Sequence, residues 1–319
     1  MSQNENKVEL NSFANLEVSD SEFVATGGVT ESSGREASFD VIYSVGDLDN
    51  LTASGTISGL EITESSDFYG NPSRFNACSS LLNEMEVSGG YNVSNVAELQ
   101  CVENNLNVDY TLSEDIDARS TYYWNEGRGF DPIGDRSYNF SGNFDGDGNQ
   151  IQNLSIDRVS ENNVGLFGFI AQGGTVSDLG IVNSEVEGNE DVALISGWLE
   201  HASATIQRSY ARGNVTGNSR TGGIAGGSGG EIINSYSAVK ASDGGAIVGT
   251  QYNLGSVSDS YWNQDLSQEG QMSSDSEFNA EGLSTSEMLG DEASTNMGDF
   301  DFTTIWKTQV NPDDYPVHQ

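Results

Sequence analysis

Two pairs of carboxylates have the spacing that polysaccharide-cleaving enzymes use. Asp115 and Asp117, like Asp145 and Asp147, are two residues apart, so on a strand each pair would share one face at about 7 Å. Glycosidase carboxylates lie roughly 5–9.5 Å apart. The chain has 49 acidic residues, however, so such pairs arise freely, and we expect these four to be structural. A polysaccharide-active β-helix enzyme is therefore kept only as an alternative.

The chain is poor in the other residues on which catalysis and metal binding depend. Nucleophilic catalysis needs a histidine base, and only His201 and His318 are present. The stretch "DGDGN" (145–149) begins like a calcium loop, but Ile156 stands where the twelfth position requires a glutamate. The Gly-rich stretch 221–250 has no phosphate-loop ending, and no C-x-x-C or H-x-x-x-H set occurs. We therefore expect no catalytic residue, no metal site and no cofactor.

Three consecutive aromatic residues are the best candidates for contacting a ligand. Tyr122, Tyr123 and Trp124 lie in "TYYWNEGRGF" (121–130), a segment that we expect to be a surface loop. Aromatic faces in such a loop could stack on sugars. The alternative is that they pack against the first coil of the fold described below.

The two cysteines, Cys78 and Cys101, can form one disulfide. A bridge closing a loop of this size would stabilise the fold by roughly 3 kcal/mol, and it would favour an oxidising location. The alternative is a pair of buried free thiols.

The charge of the chain is extreme. Acidic residues outnumber basic ones by 49 to 12, which gives a net charge of −37 over 319 residues. Such a surface repels itself at low salt, whereas at 1 M salt the repulsion is screened within about 3 Å. We therefore expect adaptation to molar salt; the alternatives are an acidic calcium-binding surface protein and an unusually acidic mesophile protein. The scarcity of Lys and Arg argues against nucleic acid and anionic membrane as partners.

From about residue 140 the sequence repeats itself. A small–apolar–apolar–small unit occurs as "GLFG" (165–168), "ALIS" (193–196), "GIAG" (223–226) and "AIVG" (246–249). A second unit has an apolar residue at matching positions: Ile151, Val176, Ile206, Ile232 and Val257. Short β-branched segments between Gly, Asn, Asp and Ser are typical of strands and turns. A period of 23–30 residues predicts the coils of a β-solenoid, which stack around one shared core.

The repeat also predicts what fills the coils and their corners. Ile224, Ile232 and Ile247 should face the core. Gly226, aligned with Gly168 and Gly249, should allow successive coils to approach closely. The second unit places four polar residues at one corner, where a hydrogen-bonded ladder is expected: Asn153, Asp178, Asn234 and Asp259.

Both ends of the solenoid need covering, because an exposed strand edge invites aggregation. We expect an N-terminal cap made of a helix within 92–106, begun by Asn95 and Glu98 as a capping box, with residues 109–118 as the entering strand. At the other end we expect a short helix at 283–292 and a strand at 300–306.

The sequence thus predicts an all-β protein: a right-handed parallel β-helix with short capping helices, preceded by a small N-terminal β-domain. Residues 1–70 form that β-domain and serve anchoring or docking, and 66–76 form the linker. Residues 71–319 form the solenoid, with a cap at 73–118, coils at about 119–270 and a C-terminal cap at 271–319.

The repeated "GLFG/GIAG … G-x-I-x-N-S-Y" unit resembles the GLUG motif family, short repeats of bacterial and archaeal surface proteins. The string "YTLSEDIDA … FDPIGDRSYNFSGNFDGDGNQIQNLSI" looks like the region that such proteins place before their repeats, and "FDFTTIW … YP" looks like their ending. The resemblance covers about residues 91–319. It implies a parallel β-helix displayed outside the cell.

These observations favour a non-catalytic, surface-exposed attachment protein. No apolar export signal or membrane-spanning run is visible, so we expect no membrane insertion and an extracellular location reached on a virus particle. The first interpretation is a turret, spike or fibre of a halophilic archaeal virus, docked by residues 1–70 to other virion or cell-envelope proteins. Host glycan or S-layer and further copies of the chain are its expected partners. The alternatives are a host cell-surface adhesin and a passive module that binds glycan or cation.

Overall fold

The computed structural model divides the chain into two compact units, Met1–Gly70 and Asn71–Gln319. The residues that it describes are 10–18, 22–30, 36–44, 51–57, 60–66, 78–242, 244–252, 255–267, 270, 277–309, 311 and 314–319. Nearly all of the predicted linker, residues 67–76, lies outside these ranges.

The first unit contains one antiparallel sheet in which each strand pairs with the next along the chain. Its strands are β1 (Leu10–Val18), β2 (Glu22–Thr30), β3 (Glu36–Ser44), β4 (Leu51–Ile57) and β5 (Leu60–Ser66). The β-domain predicted for residues 1–70 is thus seen as this five-stranded meander in the described residues.

The second unit begins with two short helices that a disulfide joins. α1 (Cys78–Met85) leads into the hairpin of β6 (Glu86–Val87) and β7 (Gly90–Val93), and α2 (Val96–Cys101) follows, extended by a 3-10 turn at 102–104. The disulfide links Cys78 to Cys101, whose Cα atoms are 5.1 Å apart. It therefore ties the first turn of α1 to the last residue of α2.

The start of α2 shows how the sequence sets this end. The side-chain oxygen of Asn95 accepts hydrogen bonds from the backbone N–H groups of Ala97 and Glu98, both at 3.0 Å. The Glu98 carboxylate accepts from the N–H of Ser94 at 2.7 Å, not from that of Asn95. The predicted capping box is thus present with its second half moved by one residue.

The solenoid strands follow one another coil by coil. The first coil contains β8 (Tyr110–Leu112) and β9 (Ile116–Asp117), then a 3-10 helix at 119–127. The next contains β10 (Asn143–Asp145), β11 (Gln150–Gln152), β12 (Ser155–Asp157) and β13 (Phe167–Ile170). The third contains β14 (Thr175–Ser177), β15 (Gly180–Glu187), β16 (Glu190–Val192) and β17 (Ser196–Leu199).

The later coils are shorter. The fourth contains β18 (Thr205–Gln207), β19 (Tyr210–Thr216), β20 (Ser219–Thr221) and β21 (Ala225–Ser228). The fifth contains β22 (Glu231–Ile233), β23 (Tyr236–Ala241) and β24 (Val248–Gln251). β25 (Ser256–Asn263) and β26 (Glu277–Leu283) complete the stack.

Strands in equivalent positions of successive coils pair in parallel, which confirms the predicted parallel β-solenoid. One row runs β8-β10-β14-β18-β22-β25, a second runs β9-β11-β15-β19-β23-β25, and a third runs β13-β17-β21-β24. β7 pairs in parallel with β8 and so covers that edge of the first coil. β8 and β9 pair with β10 and β11. The coils therefore begin earlier than residue 119, which is the start that the sequence predicts.

The interior of the solenoid is a set of apolar columns, one residue from each coil. Val176, Ile206, Ile232 and Val257 are paired in register and are at most 1% exposed. The predicted fifth member, Ile151, was wrong: Val176 pairs with Phe144. Ile151 lies in the second row, between Ile116 and Ile181. Ile224 and Ile247 are fully buried as expected.

A column of glycines lets the coils stack at one corner. Phe167, Ser196, Ala225 and Val248 are paired in register, so the residues that follow them, Gly168, Gly197, Gly226 and Gly249, are equivalent. A Cβ on any of these glycines would lie 2.3 Å from a backbone atom of an earlier segment. The predicted copy "ALIS" was one residue out of register, and the equivalent unit is "LISG" (194–197).

At the predicted polar corner, the equivalent residues of successive coils all have a left-handed backbone conformation. Asp178, Arg208, Asn234 and Asp259 have φ angles of 45–53°, a conformation that Asn and Asp tolerate better than most residues. The Arg208 guanidinium donates to both carboxylate oxygens of Asp178 at 2.6 Å. Asn153 does not belong here, because it follows β11 and lies beside Asn183 in the second row.

The hydrogen-bonded ladders lie elsewhere than predicted. The amide of Asn189 donates to Asn162, and that of Asn218 donates to Asn189, both at 2.8 Å. Inside the solenoid, the N–H of Ser209 donates to the hydroxyl of Ser235, and that of Ser235 donates to the hydroxyl of Ser260. Each ladder links side chains of successive coils.

The C-terminal segment lies along the flank of several coils rather than only over the end of the stack. It contains a 3-10 turn at 285–287, α3 (Gly290–Asn296), β27 (Trp306–Lys307) and β28 (Val317–His318). Its apolar residues pack on tyrosines of successive coils in one cluster: Tyr210, Tyr236, Tyr261, Met288, Met297, Phe300, Trp306 and Val317. The predicted strand at 300–306 was wrong, because the Asp301 carboxylate accepts from the N–H groups of Thr303 and Thr304 and holds a turn there.

The glycine column predicts a strong effect of a single methyl group. Gly226→Ala would place its Cβ 2.3 Å from the carbonyl carbon of Asp191. The backbone of the neighbouring coil cannot move away from it without a cost in free energy. We expect a loss of about 1–3 kcal/mol in the free energy of unfolding, measured by denaturant titration in molar salt. Gly298→Ala is the matched control, since nothing lies within 4 Å of its added Cβ. Equal stability of the two variants would contradict the register.

The C-terminal segment predicts a pH effect through His318. This ring is 5% exposed, stacks on Trp306 with centroids 4.6 Å apart, and lies 2.7 Å from the carbonyl oxygen of Arg208 through Nε2. Burial lowers the pKa of His318, although the Arg208 carbonyl and the Asp178 carboxylate oppose this effect. The folded state therefore favours the neutral ring. Its contribution to stability is complete above the unfolded pKa of about 6.5 and is lost as the pH falls through the folded pKa.

We accordingly expect the unfolding free energy to fall between about pH 7.5 and 5.5, and His318→Gln to lose part of that dependence. His201→Gln, in a turn at 201–203, is the matched control and should keep the full pH dependence. Denaturant titrations at both pH values measure the difference. An unchanged pH slope in His318→Gln would show that the ring does not titrate within this window.

Candidate functional site

The three consecutive aromatic residues, Tyr122, Tyr123 and Trp124, lie on the 3-10 helix at 119–127, and they differ in how far they are buried. Tyr122 and Tyr123 are 64% and 68% exposed, and their rings meet edge to face with centroids 5.1 Å apart. Trp124 is 4% exposed and stacks on Phe130 at 6.3 Å. Its prediction as a ligand contact is therefore wrong, because it packs against the fold, whereas the two tyrosines face solvent.

Tyr122 borders a shallow groove of about 510 Å³ on the surface of the second unit. The 3-10 helix supplies one wall, the turn between β11 and β12 supplies the floor, and β15 supplies the other wall. The lining residues are Arg119, Tyr122, Asn153, Leu154, Ser155, Asn183 and Glu185. Parts of three coils thus meet in one concavity.

The wall near Arg119 is held by a small polar network. Arg119 Nε donates to a carboxylate oxygen of Asp117 at 2.6 Å, and Asn153 Nδ2 donates to the other oxygen at 3.0 Å. Partial burial would raise the pKa of Asp117, but the hydrogen bonds from Arg119 and Asn153 outweigh it and lower that pKa. Asp117 is therefore ionised and orients the Arg119 and Asn153 side chains beside the groove.

The floor and the far wall are fixed by the strand pairing of the solenoid. β12 pairs in parallel with β15, which places Ser155 opposite Glu185. Asn153 and Asn183 are both left-handed, with φ angles of 59° and 52°, and they occupy equivalent positions in neighbouring coils. Leu154 is 1% exposed. The groove therefore presents polar side chains above a rigid backbone floor.

The carboxylate pairs of the sequence are engaged in backbone structure. Asp115 accepts a hydrogen bond from the N–H of Gln150 at 2.8 Å, and Asp145 accepts from the N–H of Asp147 at 2.9 Å. Asp147 itself is a left-handed residue in the turn between β10 and β11. A general acid needs a raised pKa, whereas that of Asp117 is lowered. Asp117 is therefore not suited to the role of general acid.

Within the described part of the chain, no group of three or more His, Cys, Asp or Glu residues could hold a metal ion. No helix among the described residues is long and apolar enough to cross a membrane.

Of the residues that line the groove, only Tyr122 was predicted from the sequence as a ligand contact. Asn153, Asn183 and Glu185 were not predicted as site residues. A signal was available in "QNLS" (152–155) and "VNSE" (182–185), where the two asparagines occupy equivalent places in neighbouring coils. Recognising it required the strand register, which the sequence repeats gave only for other columns.

No family model matches the chain, so the likeness to the GLUG motif family remains a resemblance. The chain is 40% identical over 144 residues to halomucin of Haloquadratum walsbyi, a match covering 43% of this chain and 2% of halomucin. It is 34% identical over 107 residues to a putative Gly-rich membrane protein of Evansella cellulosilytica, covering 33% of this chain and 12% of that protein. The matches thus span a small part of these curated relatives. They support a β-solenoid protein with distant similarity to halomucin.

Proposed function

We propose that this chain is a non-catalytic structural module displayed on the surface of a cell that lives in concentrated salt. The observation that carries the proposal is the 40% identity to halomucin over 144 residues. Halomucin belongs to a cellular organism and carries the name of a mucin, and the second relative is named as a membrane protein. Both names point to the cell envelope.

Two features of the chain support this location. The disulfide between Cys78 and Cys101 suits an oxidising environment outside the cytoplasm. The net charge of −37 suits a surface bathed in molar salt. The virion turret, spike or fibre remains a prediction from the sequence, and the identity to halomucin favours the cell-surface alternative over it.

The non-catalytic role rests on how the polar residues are used. The carboxylates Asp115, Asp117 and Asp145 accept hydrogen bonds from backbone or side-chain donors that position turns and walls. The solenoid itself consists of coils whose strands pair in register, an arrangement suited to holding a fixed shape. We keep residues 1–70 as the part that docks to other envelope proteins, and assembly of several copies as part of the same proposal.

Protease treatment of intact cells tests the location. An antibody against the second unit should detect the chain in untreated cells of the source organism, and external protease should remove that signal while a cytoplasmic marker survives. Protection of the chain until the cells are lysed would contradict the proposal. Sedimentation of the chain with virus particles, instead of with cell envelopes, would restore the virion interpretation.

Salt dependence tests the adaptation to brine. We expect the thermal midpoint of unfolding to rise between about 0.1 M and 2 M NaCl, because screening removes the repulsion among the 49 acidic residues. Sucrose at matched osmolality is the control, since it favours burial without screening charge. A rise of equal size in sucrose would show that charge screening is not the cause.

A further inference from the structure

We infer that the groove bounded by Tyr122, Arg119, Asn183 and Glu185 binds a neutral carbohydrate chain. Its volume of about 510 Å³ lies within the range of roughly 300–1,000 Å³ that small-molecule sites occupy. The choice of an external glycan as the ligand rests on the proposed surface location. The groove itself is part of the fold and does not depend on that location.

The aromatic wall supplies the apolar part of recognition. Tyr122 is 64% exposed although it is held against Tyr123 in an edge-to-face pair. A pyranose ring has a face of C–H groups that packs on such an aromatic face. Tyr122 thus places a largely uncovered aromatic ring at the edge of the groove, where it is available to a ligand.

The opposite wall supplies hydrogen bonds of both kinds. The exposed amide of Asn183 carries a donor and an acceptor, and the exposed Glu185 carboxylate is an acceptor. The Asn153 amide gives one N–H to Asp117, which fixes its plane and turns its carbonyl oxygen into an oriented acceptor. Hydroxyl groups of a sugar both donate and accept, so they match this mixture.

Local charge separates this ligand class from the alternatives. Asp117 and Glu185 carry two negative charges and Arg119 carries one positive charge, which leaves the surroundings of the groove negative by one. An anionic ligand would meet this charge and the −37 of the whole chain. A metal ion is disfavoured because the described residues contain no cluster able to hold one.

A ligand that carries no net charge is also suited to binding in concentrated salt. At 1 M salt, interactions between exposed charges are screened beyond about 3 Å, so an ionic ligand would bind weakly there. Stacking on an aromatic face is not screened. Oriented neutral hydrogen bonds persist as well, and the floor that orients them is fixed by the pairing of β12 with β15.

Titration of the purified full chain with oligosaccharides tests the inference. The probes are neutral tetrasaccharides of glucose, mannose and galactose, compared with sulfated and uronic-acid tetrasaccharides, in about 2 M NaCl. Saturation-transfer NMR and calorimetry are the readouts. We expect at least one neutral probe to bind, with Tyr122→Ala and Asn183→Ala each weakening it by about tenfold and Tyr122→Phe retaining it.

Tyr138→Ala is the matched control, because Tyr138 is 75% exposed and does not line the groove; its affinity should equal that of the unchanged chain. Circular dichroism of each variant verifies folding. Failure of every neutral probe to bind, tighter binding of the anionic probes, or binding unaffected by Tyr122→Ala would overturn the inference. Binding of an uncharged extended peptide in place of every sugar would overturn it too. None of these outcomes decides where on the cell the chain resides.

Discussion

The whole solenoid depends on one steric constraint, the contact between a column of glycines and the backbone of the preceding corner. Gly197, Gly226 and Gly249 each face the backbone of a left-handed residue one coil earlier, Asn163, Asp191 and Arg220 respectively. A side chain at these places would hold successive coils apart. The strand pairing that buries the apolar columns is therefore available only because the glycines remove the obstacle.

The same corner shows how a chain with few cations uses them. Arg220 donates to both carboxylate oxygens of Asp191 at 2.6 and 2.8 Å, and Asp191 is 4% exposed. Arg208 holds Asp178 in the same bidentate manner at another corner. A guanidinium is suited to this geometry because its donors form a rigid planar fork. Among acidic residues this numerous, these two arginines are thus placed where carboxylates of neighbouring coils lie inside or against the stack.

Much of this architecture could be predicted from the sequence, because the repeat itself reports the columns. Val176, Ile206, Ile232 and Val257 were aligned correctly, since each is an apolar β-branched residue that follows the polar first residue of its strand. The errors arose where the local pattern was ambiguous. In this coil the equivalent residues, 194–197, do not follow the small–apolar–apolar–small pattern, whereas residues 193–196 do, and only the strand pairing shows the offset.

The C-terminal segment and the far wall of the groove were harder to predict from the sequence, because both are formed by contacts between residues that are far apart in the chain. Residues 300–306 alternate like a strand, yet Asp301 closes a turn and Phe300 and Trp306 stack at 4.5 Å over the tyrosines of the coils.

The tyrosines of the repeated "SY" pairs look like ordinary strand residues in the sequence. In the fold, however, the ring of Tyr210 lies over Gly180 of the previous coil, and the rings of Tyr210 and Tyr236 stack at 5.1 Å. The strand row that carries this covered column also carries Asn183, immediately after the buried Val182. Val182 belongs to the cluster that the C-terminal segment forms with the tyrosines of the coils. A covered flank and an open groove thus share one row of strands.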